Sequence, residues 1–212
     1  MGIATNGGGE EPLSARIGDA SAVLLLAPRG SDHEDEACSD LLTVTDPAYE
    51  DVLTITLTQS CDRRLDVWNA HVGSSPAKTG VVCVDETVRS TAAKEGGSSP
   101  TLGNDTFSVR TVASAGDLTR LGIAITDTLS EWDDDGNQVV ACFHSLTPLL
   151  QYVDVRRLFR FLHVLVGRLA QGGAVAHFHM DPTAHEEETL RTLEPLFDAV
   201  VERGEDGEWV VR

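Results

Sequence analysis

The sequence predicts an α/β protein with a mostly parallel central sheet and helices on both faces. The apolar runs Ala22–Ala27 and Gln138–Phe143 are continuous rather than alternating, which is typical of strands buried on both faces. Residues Val153–Gln171 instead have apolar side chains every three or four positions, which indicates an amphipathic helix. Because strand-like and helix-like segments alternate along the chain, we expect crossover connections and a three-layer domain.

The first half of the chain is predicted to begin with a lead-in and to continue with strands and helices in turn. Residues 1–20 are Gly-rich and acidic and are expected to be disordered, which leaves 21–212 as a single domain. The predicted elements that follow are a strand at Ala22–Ala27, a helix at His33–Leu42, a strand at Val52–Leu57, a helix at Asp62–Val72 and a strand at Thr79–Val84. Residues 90–104 are rich in Ser, Gly, Ala and Thr and are expected to form an exposed loop.

The second half repeats the alternation of strands and helices. The predicted elements are a strand at Thr106–Val112, a helix through Leu118, Leu121, Ile125 and Leu129, a strand at Gln138–Phe143, a helix at Val153–Gln171, a strand at Ala174–His179, a helix at His185–Val201 and an edge strand at Trp209–Val211. The pair Gly172 and Gly173 is expected to end the long helix.

The net charge and its distribution along the chain indicate which classes of molecule are unfavourable binding partners. The formal net charge is −18, from 34 acidic and 16 basic residues, and only Lys78 and Lys94 are lysines. The acidic residues are spread over the whole length, which is typical of a protein adapted to a cytoplasm with molar salt. A charge of this sign disfavours non-specific nucleic-acid binding, because phosphate contacts need cations.

The cysteines and apolar segments bear on location. The four cysteines, at 38, 61, 83 and 142, have no C-x-x-C spacing, so we expect reduced thiols in a cytoplasm and no zinc ribbon. No apolar run approaches the length of a membrane span, and the N-terminus lacks the pattern of a signal peptide.

The loop after the first strand lies where a phosphate-binding loop belongs, between a buried strand and a helix. It consists of Pro28, Arg29, Gly30, Ser31, Asp32, His33 and Glu34. Against G-x-x-x-x-G-K-[ST], His33 replaces the lysine and Glu34 replaces the Ser/Thr. A triphosphate would meet carboxylates here rather than a cation, so the loop is interpreted as vestigial.

The stretch Gln138–Leu150 adds a second half to this pattern, because its apolar strand ends in His144, Ser145, Leu146 and Thr147. Together with the first loop and the segments 172–181 and 188–202, it resembles the RecA-type ATPases, specifically the KaiC/GvpD-like branch common in archaea. In that branch the Mg²⁺-binding strand ends in Asp-Ser-Leu-Thr, so the metal position would fall on His144. The resemblance implies a RecA-like domain, and RecA-type domains commonly assemble side by side.

None of the residues at the family's ATP and Mg²⁺ positions (His33, Glu34 and His144) has the required chemistry. We therefore expect a catalytically inactive domain without a cofactor. It would act in regulation or assembly through protein contacts, either with itself or with an active paralogue.

Two alternatives stay open at the level of sequence. His177 and His179 are two apart on a predicted strand and share a face, so with His144 they are candidate ligands for a metal in a sensor or enzyme. Histidines in such positions are also common as core or rim residues with a backbone partner. The second alternative is nucleotide binding without hydrolysis, through the backbone amides of Gly30 and Ser31.

Overall fold

A computed structural model of the chain describes residues 11–57, 68, 70–84, 102–104, 106–132, 135–204 and 206–212. The strands in these residues are β1 (Ala22–Leu26), β2 (Glu50–Thr56), β3 (Lys78–Val84), β4 (Leu102–Asn104), β5 (Phe107–Val112), β6 (Gln138–His144), β7 (Val175–Met180), β8 (Ala199–Arg203) and β9 (Trp209–Val211). They form one sheet in the order β4-β5-β3-β2-β6-β7-β1-β8-β9. Only the two outermost pairs, β4 with β5 and β8 with β9, are antiparallel, so the predicted mostly parallel sheet is confirmed.

Helices cover both faces of this sheet, as predicted. In the described residues they are α1 (Leu13–Arg16), α2 (Asp32–Leu41), α3 (Leu118–Ser130), α4 (Leu146–Leu149), α5 (Val155–Gln171) and α6 (Glu187–Leu193), with 3-10 turns at Pro47–Tyr49, Pro182–Ala184 and Glu194–Leu196. Along β1, Leu24 and Leu26 pack in the core that α3 and α5 cover, whereas Val23 and Leu25 pack with α1 and α2. Every side chain of β1 is therefore buried, which explains its continuous apolar run.

Three strands at the centre position the site. β7 pairs in parallel with both β6 and β1, so the carboxyl ends of β6, β7 and β1 lie side by side at one edge of the sheet. The chain leaves β1 towards α2 and leaves β6 towards α4 at this same edge. In open α/β sheets, such an edge is where ligand sites usually lie.

The predicted helix at His185–Val201 is wrong beyond Leu193. Pro195 has no N–H for a helical hydrogen bond, and the chain turns through the 3-10 segment Glu194–Leu196. The next residues form β8, in which Val200 and Val201 are buried, and β8 pairs with β1 in parallel. Tertiary pairing thus overrides the apolar spacing that favoured a helix.

The predicted boundary at residue 20 is also wrong for the part of the lead-in that the structure describes. Leu13 and Ile17 are buried against β1 and β8 in the same cluster as Leu25. The Leu13 amide donates to Asp40 Oδ2 at 2.6 Å, and Arg16 Nη2 donates to the Trp209 carbonyl at 2.6 Å. The apolar pair Leu13 and Ile17, spaced as on one helix face, explains why this segment packs. Residues 1–10 lie outside the described residues.

Several further expectations meet the described residues only in part. Most of the predicted helix Asp62–Val72 and of the predicted loop 90–104 lies outside them, although Leu102–Asn104 forms β4.

Cys83 is disulfide-bonded, so the expected reduced thiol is wrong at that position. Disulfide formation depends on spatial separation, which spacing in sequence does not reveal. In the described part of the chain, no helix is both long and apolar enough to cross a bilayer.

Candidate functional site

A cluster of six buried polar side chains lies beneath the carboxyl edge of β1, β6 and β7. Three pairs of residues supply it: Glu34 and Cys38 from α2, Cys142 and His144 from β6, and His177 and His179 from β7. Each of the six is at most 2% exposed. Burial of so many ionisable groups is unusual, since such groups normally enter a core only when paired or metal-bound.

The local geometry of each element explains why the pairs converge. Residues two apart on a strand project to one face, and residues four apart on a helix lie one turn above each other. Cys142 and His177 are direct partners in the β6–β7 register, so both strand pairs share a face of the sheet. Helix α2 packs on this face, where Cys38 and Cys142 belong to the same buried cluster.

The outer layer of the cluster, nearest the sheet edge, consists of Glu34, His144 and His179. Glu34 Oε1 lies 2.9 Å from His179 Nδ1 and 3.2 Å from His144 Nε2. The two imidazole rings are 4.5 Å apart between centroids and tilted by 53°. The same carboxylate oxygen of Glu34 therefore contacts a ring nitrogen of each histidine.

The protonation of this layer follows from its pairing. Burial by itself would raise the pKa of Glu34, but the hydrogen bonds and positive charge of His144 and His179 outweigh it and hold that pKa far below its usual value. Burial would likewise lower the pKa of His179, but the neighbouring Cys38 sulfur and Glu34 carboxylate raise it above its usual value. Glu34 is therefore an ionised carboxylate inside the protein.

The inner layer consists of Cys38, Cys142 and His177. Cys38 and Cys142 carry thiols rather than a disulfide, and their Sγ atoms are 3.5 Å apart. His177 Nε2 lies 3.3 Å from Cys38 Sγ, and the His177 and His179 rings are 5.1 Å apart between centroids. Candidate ligand atoms of Cys38, Cys142, His177 and His179 all lie within 4.8 Å of one another.

The loop from Pro28 to Glu34 is closed by the cluster's own carboxylate. Gly30 adopts a φ of +74°, and its amide donates to Glu34 Oε2 at 2.6 Å. Ser31 is the N-cap of α2, because its Oγ accepts from the Glu34 amide at 3.1 Å. The Arg29 amide donates to Asp181 Oδ2 at 3.3 Å. The Arg29 and Gly30 amides of this loop are therefore directed at acidic side chains.

The residues singled out in the sequence are only partly brought together. His144, His177 and His179 do converge, as the metal alternative requires, whereas His33 is exposed on the outer side of α2. Cys38 and Cys142 were not predicted as neighbours of these histidines, and Glu34 was predicted only as part of a loop. The i,i+4 spacing of Glu34 and Cys38 and the i,i+2 spacing of Cys142 and His144 were the available signals.

Comparison with known proteins adds a family and a fold. The model of a family of unknown function (DUF7504) matches residues 20–203. None of the curated proteins matches this chain. The structure of PH0250 from Pyrococcus horikoshii OT3 is similar at 8% identity with a TM-score of 0.54, covering 91% of this chain and 85% of that chain. The uncharacterized protein PH0321 from Pyrococcus horikoshii, in complex with an unknown peptide, is similar at 13% identity with a TM-score of 0.54, covering 90% and 83%. At such identities the likeness is one of fold alone.

Proposed function

We propose that this chain, which belongs to the family of unknown function DUF7504, is a RecA/KaiC-like domain without ATPase activity that acts in regulation or assembly through protein contacts. One contact is the main support for the proposed lack of ATP binding and hydrolysis. The Glu34 carboxylate accepts the Gly30 amide at 2.6 Å inside the loop where a RecA-type ATPase would hold phosphate.

Electrostatics supports this proposal. Glu34 is ionised, and Asp35 and Glu36 follow it in the first turns of α2. At an effective dielectric constant of about 20, two like charges about 4 Å apart repel by roughly 4 kcal/mol. A phosphate in this loop would meet part of that repulsion, since His144 and His179 offset the charge of Glu34, and it would also have to displace Glu34 from Gly30.

The position of the family's Mg²⁺ ligand supports it too. His144 ends β6, is 1% exposed and contacts the Glu34 carboxylate. Mg²⁺ takes oxygen ligands and usually keeps several waters. A buried imidazole in contact with a carboxylate supplies neither an oxygen ligand nor room for that hydration shell.

The alternative of nucleotide binding without hydrolysis depends on the backbone amides of the same loop. The Gly30 amide already donates to Glu34, so a phosphate would have to displace this carboxylate before it could use that amide. This arrangement favours a domain that does not bind nucleotide over one that binds nucleotide without hydrolysis.

Isothermal titration of the whole protein with Mg·ATP in molar KCl tests the proposal. We expect no binding heat and no phosphate release over hours. Micromolar affinity or measurable hydrolysis would overturn it.

A pair of variants tests whether Glu34 is the blocking group. Glu34→Ser removes the carboxylate from Gly30, whereas Glu36→Ser removes one exposed charge from the same helix turn and leaves the loop closed. We expect any gain in nucleotide affinity only in the first variant, with circular dichroism confirming that both fold. Light scattering at several protein concentrations, with and without an active paralogue, then tests the protein contacts directly.

A further inference from the structure

We propose that one Zn²⁺ binds between Cys38 Sγ, Cys142 Sγ, His177 Nε2 and His179 Nε2 as a structural site that joins α2 to β6 and β7. The site is independent of the nucleotide question, because its ligands lie on the inner side of Glu34 rather than in the loop. Its four side chains come from three elements that are distant in sequence.

The distances fit a tetrahedral zinc centre. Zn–S bonds of about 2.3 Å and Zn–N bonds of about 2.0–2.1 Å place two sulfurs about 3.8 Å apart, and a sulfur and a nitrogen about 3.5 Å apart. Cys38 Sγ and Cys142 Sγ are 3.5 Å apart, and Cys38 Sγ and His177 Nε2 are 3.3 Å apart. With one ligand atom taken from each residue, every pair among the four lies within 4.8 Å; because two zinc-bound nitrogens are about 3.3 Å apart, closure needs a contraction of at most about 1.5 Å.

The hydrogen bonding of His179 points to a ligand on its other nitrogen. Nδ1 lies 2.9 Å from Glu34 Oε1, which makes it the donor to an ionised carboxylate and leaves Nε2 as the nitrogen that can bind a metal, with the metal displacing any proton there. Within the described residues, Nε2 is buried without a hydrogen-bond partner, and the side chain is 1% exposed. A histidine that ligates a metal through one nitrogen and donates to a carboxylate through the other is the usual arrangement at zinc sites.

The types of ligand atom indicate which metal binds, and the burial of the ligands indicates whether the site is structural or catalytic. Two sulfurs and two imidazoles in a tetrahedral set favour Zn²⁺ over Mg²⁺ or Ca²⁺, which prefer oxygen. The four residues are between 0% and 2% exposed, so no coordination position opens towards solvent. Four protein ligands and a closed shell are the features of structural rather than catalytic zinc.

A second candidate set, formed by Glu34, His144 and His179, competes for the ion because it shares His179. Its carboxylate already accepts from the Gly30 amide and contacts both histidines. Zinc on the inner set keeps all of these contacts and uses Glu34 to orient His179. Zinc on the outer set would replace them and would leave the two thiols and His177 without a role.

The first test uses the unmodified chain, purified without a histidine tag under reducing conditions. We expect one zinc per chain by elemental analysis. After chelation and reconstitution with Co²⁺, we expect tetrahedral d–d absorption together with thiolate-to-cobalt charge-transfer bands. Less than stoichiometric zinc after incubation with Zn²⁺, or a cobalt spectrum without thiolate bands, overturns the proposal.

Variants separate the two ligand sets and supply a control. Cys38→Ser is expected to abolish stoichiometric zinc, Glu34→Gln to weaken zinc affinity by about 10–100-fold, and the neighbouring buried Ser39→Ala to leave it unchanged. Zinc retained in Cys38→Ser but lost in His144→Gln would assign the ion to the outer set and refute the inner site. A Cys38–Cys142 disulfide detected by mass spectrometry in protein that was never reduced or oxidised in vitro would also refute it. The cobalt spectrum of the unmodified chain decides the matter if a variant does not fold.

Discussion

Replacement of Asp51 by Asn should stabilise the protein at neutral and alkaline pH and have little effect in acid. Asp51 lies in β2 and is 0% exposed. Its Oδ1 accepts from Asn137 Nδ2 at 3.2 Å, but burial and the neighbouring Asp135 carboxylate raise its pKa from 3.8 to about 6, with Lys78 opposing that rise. The native protein therefore holds a carboxylate that resists ionisation.

The size and sign of the effect follow from the two pKa values. Between pH 3.8 and about 6 the native state binds this proton more tightly than the unfolded chain does, so stability falls as pH rises through that window. A shift of roughly two pKa units corresponds to about 3 kcal/mol above pH 6. An amide keeps the shape of the side chain and does not ionise, so it avoids the penalty for a buried charge.

Urea denaturation at pH 4, 6 and 8, at one fixed salt concentration, measures this difference. We expect the free energy of unfolding of Asp51→Asn to exceed that of the parent by up to about 3 kcal/mol at pH 8 and by much less at pH 4. Asp19→Asn makes the same change at an exposed position and serves as the matched control. A stability difference that is independent of pH, or a variant less stable than the parent at pH 8, would refute the reasoning.

Two further predictions concern packing and can be checked by the same denaturation assay. Leu162→Ala on α5 should cost about 2–5 kcal/mol, because the side chain is 0% exposed and leaves a cavity, whereas Val164→Ala on the exposed side of that helix should be near neutral; equal losses would contradict the assignment of faces. Gly80→Ala in β3 should cost about 1–3 kcal/mol, because its Cβ would lie 2.8 Å from both Thr128 Cγ2 and Trp132 Cζ2. Unchanged stability there would mean that α3 lies further from the strand.

The fold was largely predictable because its signals are local. Continuous apolar runs placed the central strands β1, β3 and β6 to within a residue or two, and three- to four-residue spacing placed α5. The helix predicted at His185–Val201 was wrong because its three- to four-residue apolar spacing conflicts with other local signals in the same segment. Pro195 and the β-branched Val200 and Val201 favour a turn and a strand, and pairing with β1 decided in their favour.

The candidate site was predictable only in part. The i,i+2 spacing of His177 and His179 indicated a shared face, and only the resemblance to RecA-type ATPases suggested that His144 lies on a neighbouring strand. The contribution of α2 did not follow, because Glu34 and Cys38 become neighbours of these histidines only through the crossover that lays α2 on that face of the sheet. Such contacts join residues more than 100 positions apart.

The sequence by itself determined the class of fold and the dispersed acidic charge, because each of these depends on composition or on short-range periodicity. Only the tertiary structure decided that Glu34 turns inward to close the loop and that two thiols and two imidazoles meet beneath it. The physical reason is that a helix or strand pattern specifies which side chains share a face. Which faces then meet is set by strand order and helix crossing, and both depend on the packing of the whole core.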